Sequence, residues 1–167
     1  MLWPPLPCHN LDRAELETLV GELARAPEQW SGEVAFGDER RHFISLYRDD
    51  YVDVWLICWR DVDDTGWHDH DVSSGAVRVV RGAIRESMPR IGGDPVERVV
   101  PAGACFSFGP DHIHRLSGGE YESVSIHAYS PPLWRLGQYS IAGDGVMRRQ
   151  SISYADELRP IQDELAA

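Results

Sequence analysis

Two histidines separated by a single residue are the first side chains in this chain whose spacing suggests a chemical role. His68 and His70 lie in the stretch TGWHDHDVSSG. Side chains of an extended strand alternate between its two faces, so both imidazoles would point to one side. Two imidazoles that converge on one point can hold a transition-metal ion. A hydrogen-bonded pair of surface histidines beside an acidic turn is the other interpretation, and the two residues alone do not separate them.

Two further polar patterns could complete such a site. The stretch DHIHRLSG carries His112 and His114, which share strand parity, so either could be a third ligand. The stretch SVSIHAY carries Ser125, His127 and Tyr129 at alternate positions, which predicts one polar face on a strand. Alternating polar residues also occur on exposed strands, so the spacing alone assigns these three residues no role.

These residues lie in a region of short strands. From about residue 40 onward, apolar or alternating runs are broken by glycine, proline and aspartate. Strands spaced about ten residues apart favour a sandwich or barrel of jelly-roll type. Residues 10–26 have apolar side chains at helical spacing, with Asn10 or Asp12 as N-cap, which predicts an amphipathic helix. We expect one mainly β domain over 1–167, with its barrel at about 40–150 and a short helix within 153–167.

The bulk composition narrows the function classes. The chain has 167 residues and a formal net charge of −11, and all 16 basic residues are arginine. The negative charge disfavours nucleic-acid binding, and the lack of lysine excludes a lysine Schiff base. Three widely spaced cysteines fit neither a disulfide framework nor a Cys-x-x-Cys metal site, and no run forms a leader or a membrane span. We therefore expect a cytoplasmic protein that binds neither nucleic acid nor membranes.

Residues 40–135 resemble the cysteine dioxygenase group of thiol dioxygenases, which have the cupin fold, a jelly-roll β-barrel. The resemblance rests on CWRDVDDTGWHDHDVSSG, VVRGAIRE, DHIHRLSG and SVSIHAYSPP, which occur in the family's order. It implies a mononuclear iron(II) enzyme that adds both atoms of O2 to a small thiol and forms a sulfinate. His68, His70 and His114 would be the iron ligands. We prefer His114 to His112 because the family pattern has histidine followed by arginine at this ligand.

The resemblance also interprets the polar strand and a gap in the first motif. Ser125, His127 and Tyr129 match the family's relay, in which serine and histidine fix a phenol that orients substrate or oxygen. Gly75 stands where the general cupin motif has a glutamate ligand and where some members have a cysteine cross-linked to the tyrosine. The metal would then have three neutral ligands, and Tyr129 would be a free phenol. A divalent ion with neutral ligands keeps its full charge, which favours an anionic thiolate.

The sequence leaves open which residue would hold the substrate's carboxylate. Cysteine-selective members of the family use an arginine on the strand before CW, and an ungapped alignment puts His42 there, beside Arg40 and Arg41. Arg40 and His42 share one strand face and Arg41 lies on the other, so only one set can face the interior. An arginine would clamp a carboxylate, whereas His42 would suit a different or larger thiol. Trp134, just after SPP, could line the same pocket.

The resulting hypothesis is an iron(II)-dependent thiol dioxygenase for cysteine or a related thiol. Alternative substrates are 3-mercaptopropionate and a thiol-imidazole. Alternative functions are a metal-dependent cupin enzyme of another reaction class and a non-catalytic cupin. We expect the thiol and O2 as partners, and a monomer or weak homodimer as the assembly.

Overall fold

The described residues fold into one α-helix followed by strands. The computed structural model describes residues 5–119, 121–143 and 145–161, and the elements below are those within these ranges. Helix α1 is Arg13–Ala24, and 3-10 turns follow at Pro27–Gln29 and Ser31–Glu33. The strands are β1 His42–Arg48, β2 Asp53–Trp59, β3 Trp67–Asp69, β4 Ser74–Arg81, β5 Ala83–Met88, β6 Val96–Pro101, β7 Cys105–Phe108, β8 Arg115–Gly118, β9 Ser123–Ser130, β10 Arg135–Ile141 and β11 Met147–Ser153. The predicted mainly β class with an N-terminal helix is confirmed.

Helix α1 begins at a capping box. The side chain of Asp12 accepts a hydrogen bond from the Glu15 backbone N–H (2.9 Å), and Glu15 accepts one from the Asp12 backbone N–H (2.8 Å). Asp12 is therefore the N-cap, and the helix is shorter than the predicted 10–26. Its buried side chains form one apolar stripe of Leu16, Leu19, Val20 and Leu23.

The strands form two facing layers. One is a five-stranded sheet in the order β1-β2-β9-β4-β7, and the other consists of the three-stranded sheets β11-β10-β3 and β6-β5-β8. These two smaller sheets meet where His68 pairs with His114. The predicted jelly-roll arrangement is confirmed. The hydrogen bonds among the described strands leave three separate sheets and do not join them into one continuous barrel.

The five-stranded sheet has an apolar core on each face. Its outer face packs against α1 through Val54, Leu56, Ala76, Val124, Ile126 and Ala128. Its inner face packs against the second layer, with Trp59, Val77, Val79, Phe106 and Phe108 meeting Ile84, Leu116 and Leu136. Ser125, His127 and Tyr129 alternate with the outward residues of β9 and therefore lie between the layers.

The structure describes residues 153–161 of the segment 153–167 in which we predicted a short helix. Residues 154–161 contain a turn and no helix, and the predicted helix beyond residue 161 lies outside the described residues. The carbonyls of Leu158 and Arg159 accept hydrogen bonds from the side chains of Arg41 and Gln138. The segment is therefore held by side chains that lie just before β1 and within β10.

None of the helices within the described ranges is both long enough and apolar enough to span a membrane.

Candidate active site

The three predicted metal ligands come together between the layers. His68 lies in β3, His70 just after it, and His114 just before β8. His68 and His114 exchange backbone hydrogen bonds of 2.9 and 3.0 Å, which sets their side chains next to each other. One nitrogen from each of the three imidazoles lies within 4.8 Å of the other two, and all three residues are buried.

These imidazoles are neutral and present lone pairs. Burial and the neighbouring imidazoles lower the pKa of His68 and His70 well below the ordinary value, and burial lowers that of His114 although Glu86 opposes it. His68 Nδ1 forms a hydrogen bond with Gly66 O (3.1 Å), and His114 Nδ1 forms one with Glu86 Oε1 (2.9 Å). In each ring the lone pair is therefore on Nε2. His114 Nε2 is buried with no hydrogen-bond partner among the described residues. A divalent transition-metal ion fits this set of nitrogen donors.

His112, the alternative third ligand, bonds to a carboxylate. Its Nε2 lies 3.0 Å from Glu86 Oε1, the atom that also bonds to His114. Burial alone would raise the pKa of Glu86, but the bonds from His112, His114 and Arg98 outweigh burial and lower it, so Glu86 is ionised. The structure groups His114, and not His112, with the histidines of the HDH stretch.

The aspartate between those two histidines anchors their strand. Asp69 points to the opposite face and accepts hydrogen bonds from the Gly137 backbone N–H (3.0 Å), the Tyr139 hydroxyl (2.5 Å) and Arg149 Nε (2.7 Å). Burial would raise the pKa of Asp69, but the bonds from Arg149 and Tyr139 lower it well below its usual range. The ionised Asp69 thus ties β3 to β10 and β11 and fixes the backbone that carries the flanking imidazoles.

The polar face of β9 forms the predicted hydrogen-bonded chain, with a tryptophan at its start. Trp59 Nε1 donates to Ser125 Oγ (2.8 Å), Ser125 Oγ lies 2.8 Å from His127 Nε2, and His127 Nδ1 lies 3.1 Å from the Tyr129 hydroxyl. An indole can only donate, so the serine hydrogen is left for His127 Nε2. Neutral His127 then carries its proton on Nδ1 and donates it to the phenol oxygen.

This chain holds the phenol as a hydrogen-bond donor. Burial, together with His114 and Arg41, lowers the pKa of His127 to about 3. Burial also raises the pKa of Tyr129 above its ordinary value, so the phenol stays protonated. Because the phenol oxygen of Tyr129 accepts a hydrogen bond from His127, its hydroxyl hydrogen can be donated to a group outside this series of hydrogen bonds.

An aromatic ring fills the space beside Gly75. Gly75 pairs with Tyr129 across β4 and β9 and with Phe108 across β4 and β7. A Cβ atom built on Gly75 would lie 2.5 Å from Phe108 Cζ and 3.0 Å from Tyr129 Cδ1. The Phe108 ring also stacks on His70, with 4.6 Å between the centroids. No carboxylate or thiol fits at Gly75 without displacing Phe108.

A cavity of about 60 Å³ opens beside His70 and Tyr129. Its walls are mostly apolar and come from β1, β2, the start of β10 and the segment after β11. The remaining lining residues are Arg41, Phe43, Trp55, Ile57, Leu133, Leu136, Tyr154, Asp156, Glu157 and Leu158. A small ligand here would contact a candidate metal ligand, a phenol and one guanidinium.

Arg41 supplies that guanidinium, which settles which face of β1 turns inward. The guanidinium stacks 5.0 Å from the Trp59 ring, and its Nη2 donates to Leu158 O (2.8 Å). Its Nε is buried with no hydrogen-bond partner among the described residues. Burial lowers the pKa of Arg41, and the charges of Glu157 and two aspartates oppose that shift. A buried guanidinium with an unused donor fits a ligand carboxylate.

The other three predicted substrate-binding residues lie outside the cavity. Arg40 is exposed, and His42 turns to the outer face, where its Nε2 lies 2.9 Å from Glu33 O. Trp134 is 72% exposed and packs against Arg48, so its neighbour Leu133 lines the cavity in its place. The pairing of β1 with β2 and the turn after β9 fix these directions.

Sequence reasoning missed four parts of the site. Trp59 and Glu86 lay within stretches already singled out, CW and VVRGAIRE, but no role was inferred for either. No sequence pattern identifies Phe108, because its position beside Gly75 depends on the pairing of β4 with β7. The cavity wall formed by residues 154–158 also left no motif in the sequence.

Comparisons with known proteins agree with this architecture. A cupin superfamily protein from Desulfitobacterium hafniense aligns with a TM-score of 0.52 at 10% identity, over 61% of this chain and 87% of that one. A conserved protein with a double-stranded β-helix domain from Klebsiella pneumoniae aligns with a TM-score of 0.53 at 11% identity, over 71% and 91%. At such identities these structures show the fold alone. The family model of cysteine dioxygenase type I matches residues 8–142, most of the chain. The chain therefore belongs to the cysteine dioxygenase type I family.

Proposed function

We propose that this protein is an iron(II)-dependent thiol dioxygenase that oxidises a small, carboxylate-bearing thiol to its sulfinic acid. Cysteine is the first candidate substrate. The reaction R–SH + O2 → R–SO2H balances without another reductant, because the sulfur supplies the four electrons that O2 accepts. Both oxygen atoms end on sulfur.

The observation that carries this proposal is the meeting of three groups at one cavity. Neutral imidazoles converge at His68, His70 and His114, and His70 also lines the cavity. Tyr129, where the relay ends, and Arg41 line the same cavity. When bound there, iron(II) would supply a position where sulfur and O2 meet and the redox chemistry that joins them. Three neutral ligands leave the ion's charge uncompensated, which favours a thiolate over a neutral thiol.

The chain's own residues would bind and orient the reactants. Arg41 would hold the carboxylate with charge-assisted hydrogen bonds, which sets the distance from carboxylate to sulfur. Tyr129 would donate its hydroxyl hydrogen to an oxygen or sulfur of the reacting groups, with His127 keeping that phenol in a donor orientation. Phe43, Ile57 and other apolar side chains of the wall would exclude water.

A substrate panel tests the proposal. Protein loaded with iron(II) without oxygen would be mixed with O2 and cysteine, 3-mercaptopropionate, cysteamine or a thiol-imidazole, and O2 uptake and sulfinate mass would be recorded. We expect sulfinate from a carboxylate-bearing thiol and none from His68→Ala protein. Metal binding without any thiol-dependent sulfinate would point to a cupin enzyme of another reaction class, and the absence of metal binding to a non-catalytic cupin.

We further propose that the protein acts in the cytosol, as a monomer or weak homodimer, on the thiol and O2 alone. Its described cysteines Cys8, Cys58 and Cys105 are all free thiols, as a reducing compartment would keep them. Light scattering across a concentration series tests the assembly.

A further inference from the structure

A fully buried carboxylate lies directly behind the candidate metal ligand His114. Glu86 is in β5, the central strand of the sheet β6-β5-β8, and its side chain is 0% exposed. A buried carboxylate is costly unless hydrogen bonds and opposite charge compensate for its lost hydration. The groups that compensate Glu86 show what it does.

Both oxygens of Glu86 are engaged, each by its own set of donors. Oε1 lies 2.9 Å from His114 Nδ1 and 3.0 Å from His112 Nε2. Oε2 accepts a hydrogen bond from Arg98 Nε (2.6 Å) and forms an ion pair with Arg98 Nη2 at 2.5 Å. The histidine side of the carboxylate faces the candidate metal centre, and the arginine side faces the partly exposed strand β6.

The contact with Glu86 fixes the tautomer of His114. An ionised carboxylate accepts hydrogen bonds only, so neutral His114 must carry its proton on Nδ1. Its lone pair is then on Nε2, which is buried without a hydrogen-bond partner among the described residues, within the histidine triad. A carboxylate that accepts from the far nitrogen of a metal-bound imidazole orients the ring and strengthens it as a donor.

We propose that Glu86 is a positioning residue for the metal centre, acting through His114. Through its hydrogen bond to His114, Glu86 would supply the negative charge that a carboxylate ligand at Gly75 would have given a bound metal. Arg98 and His112 share that charge and so moderate its effect on His114. This inference rests on the proposed metal centre.

Glu86, His112 and His114 could themselves be read as a metal site, because their ligand atoms also lie within 4.8 Å of one another. Two observations argue against it. The nitrogen that each histidine turns to Glu86 is already hydrogen-bonded to that carboxylate, and the Arg98 cation occupies the other oxygen. A divalent ion there would have to displace these bonds and would lie close to a guanidinium.

Cobalt(II) binding to the apoprotein tests the inference without any turnover. Dissociation constants would come from competition with a coloured chelator, and the cobalt absorption bands would report the ligand geometry. Glu86→Gln keeps the side-chain shape and removes the charge, and we expect it to weaken cobalt binding about 10-fold or more and to shift the bands. Glu97→Gln, which alters an exposed carboxylate on β6, is the matched control and should bind as wild type does.

Arg98→Gln separates positioning from a merely structural role. Losing this cation leaves the charge of Glu86 to act on His114, so cobalt should bind about 2- to 5-fold more tightly, even if the apoprotein unfolds more easily. A structural role alone predicts weaker binding together with lower stability. This variant also decides the matter if Glu86→Gln does not fold.

The outcomes are distinct. Wild-type protein that binds no cobalt would overturn the metal centre and this inference together. Wild-type binding with an unchanged affinity in Glu86→Gln would overturn the inference alone. His112→Gln should bind cobalt within about 3-fold of wild type, because this residue only shares the carboxylate. A loss in His112→Gln as large as in Glu86→Gln would put the ion at the other histidine and overturn the inference.

Discussion

Replacing Arg41 by methionine should remove the selectivity for carboxylate-bearing thiols. Methionine keeps much of the apolar stem that covers the Trp59 ring but removes the guanidinium. Hydrogen bonds to a charged partner contribute about 1.5–3 kcal/mol each in a buried setting. Losing one such bond to the substrate should lower kcat/KM for cysteine about 10- to 150-fold.

The comparison across substrates and variants makes this prediction specific. Cysteamine lacks the carboxylate, so its kcat/KM, measured by O2 uptake, should change by less than about 3-fold in Arg41→Met. The variant also loses the hydrogen bond from the guanidinium to Leu158 O, which should reduce the free energy of unfolding by about 1.5–3 kcal/mol, whichever substrate is assayed. Arg40→Met, at the exposed neighbour on the opposite strand face, is the matched control and should behave as wild type.

Two results would show that Arg41 does not bind the carboxylate. Equal losses with cysteine and cysteamine would mean that Arg41 supports the cavity wall without binding the carboxylate. An unchanged kcat/KM for cysteine would mean that the carboxylate binds elsewhere. Either result would leave the histidine triad untouched.

Three further predictions concern the relay and its surroundings. Tyr129→Phe should lower kcat about 100-fold or more, because one preorganised donor is lost, while cobalt(II) affinity stays at the wild-type value; an unchanged kcat would exclude the phenol from the reaction. Gly75→Ala should lower the free energy of unfolding by about 1–3 kcal/mol, because its Cβ would overlap Phe108, whereas Gly109→Ala, in open space, should have little effect in urea titrations. His127 is neutral in the fold with a pKa of about 3 and titrates near 6.5 when unfolded, so its contribution to stability is complete above about pH 6.5 and is lost as pH falls toward 3. By pH 5 the loss should reach about 2 kcal/mol, and apoprotein carrying His127→Gln should show a shallower pH dependence; equal slopes would contradict the neutral assignment.

The histidine triad could be predicted from the sequence because local rules fix its parts. Strand alternation puts His68 and His70 on one side, and the same rule groups Ser125, His127 and Tyr129. The choice of His114 over His112 needed the family pattern, since alternation treats them alike. The structure supplies the physical difference: a nitrogen of His114 lies near those of His68 and His70, whereas His112 bonds to Glu86 and is not part of the triad.

The carboxylate anchor could not be predicted, because the decisive contacts are long-range. Alternation leaves two equivalent faces for β1, and only the register with β2, in which Phe43 pairs with Ile57, selects the face that carries Arg41. The Phe108 ring beside Gly75 likewise depends on the pairing of β4 with β7.

The segment after β11 shows tertiary contacts overriding a local helical pattern. Its carbonyl at Leu158 accepts a bond from Arg41, and the Glu157 carboxylate accepts one from the Arg41 backbone N–H (3.0 Å). Those bonds hold the segment against the cavity, so helix propensity in SYADELRP does not decide its structure.

Isotope labelling tests whether O2 supplies both oxygens of the product. Iron(II)-loaded protein would convert cysteine under 18O2, and the product's mass would be compared with that formed under ordinary oxygen. We expect a sulfinic acid in which both oxygens carry the label, with one O2 consumed for each thiol. Cystine as the product, or a sulfinic acid with only one labelled oxygen and the other from water, would contradict it.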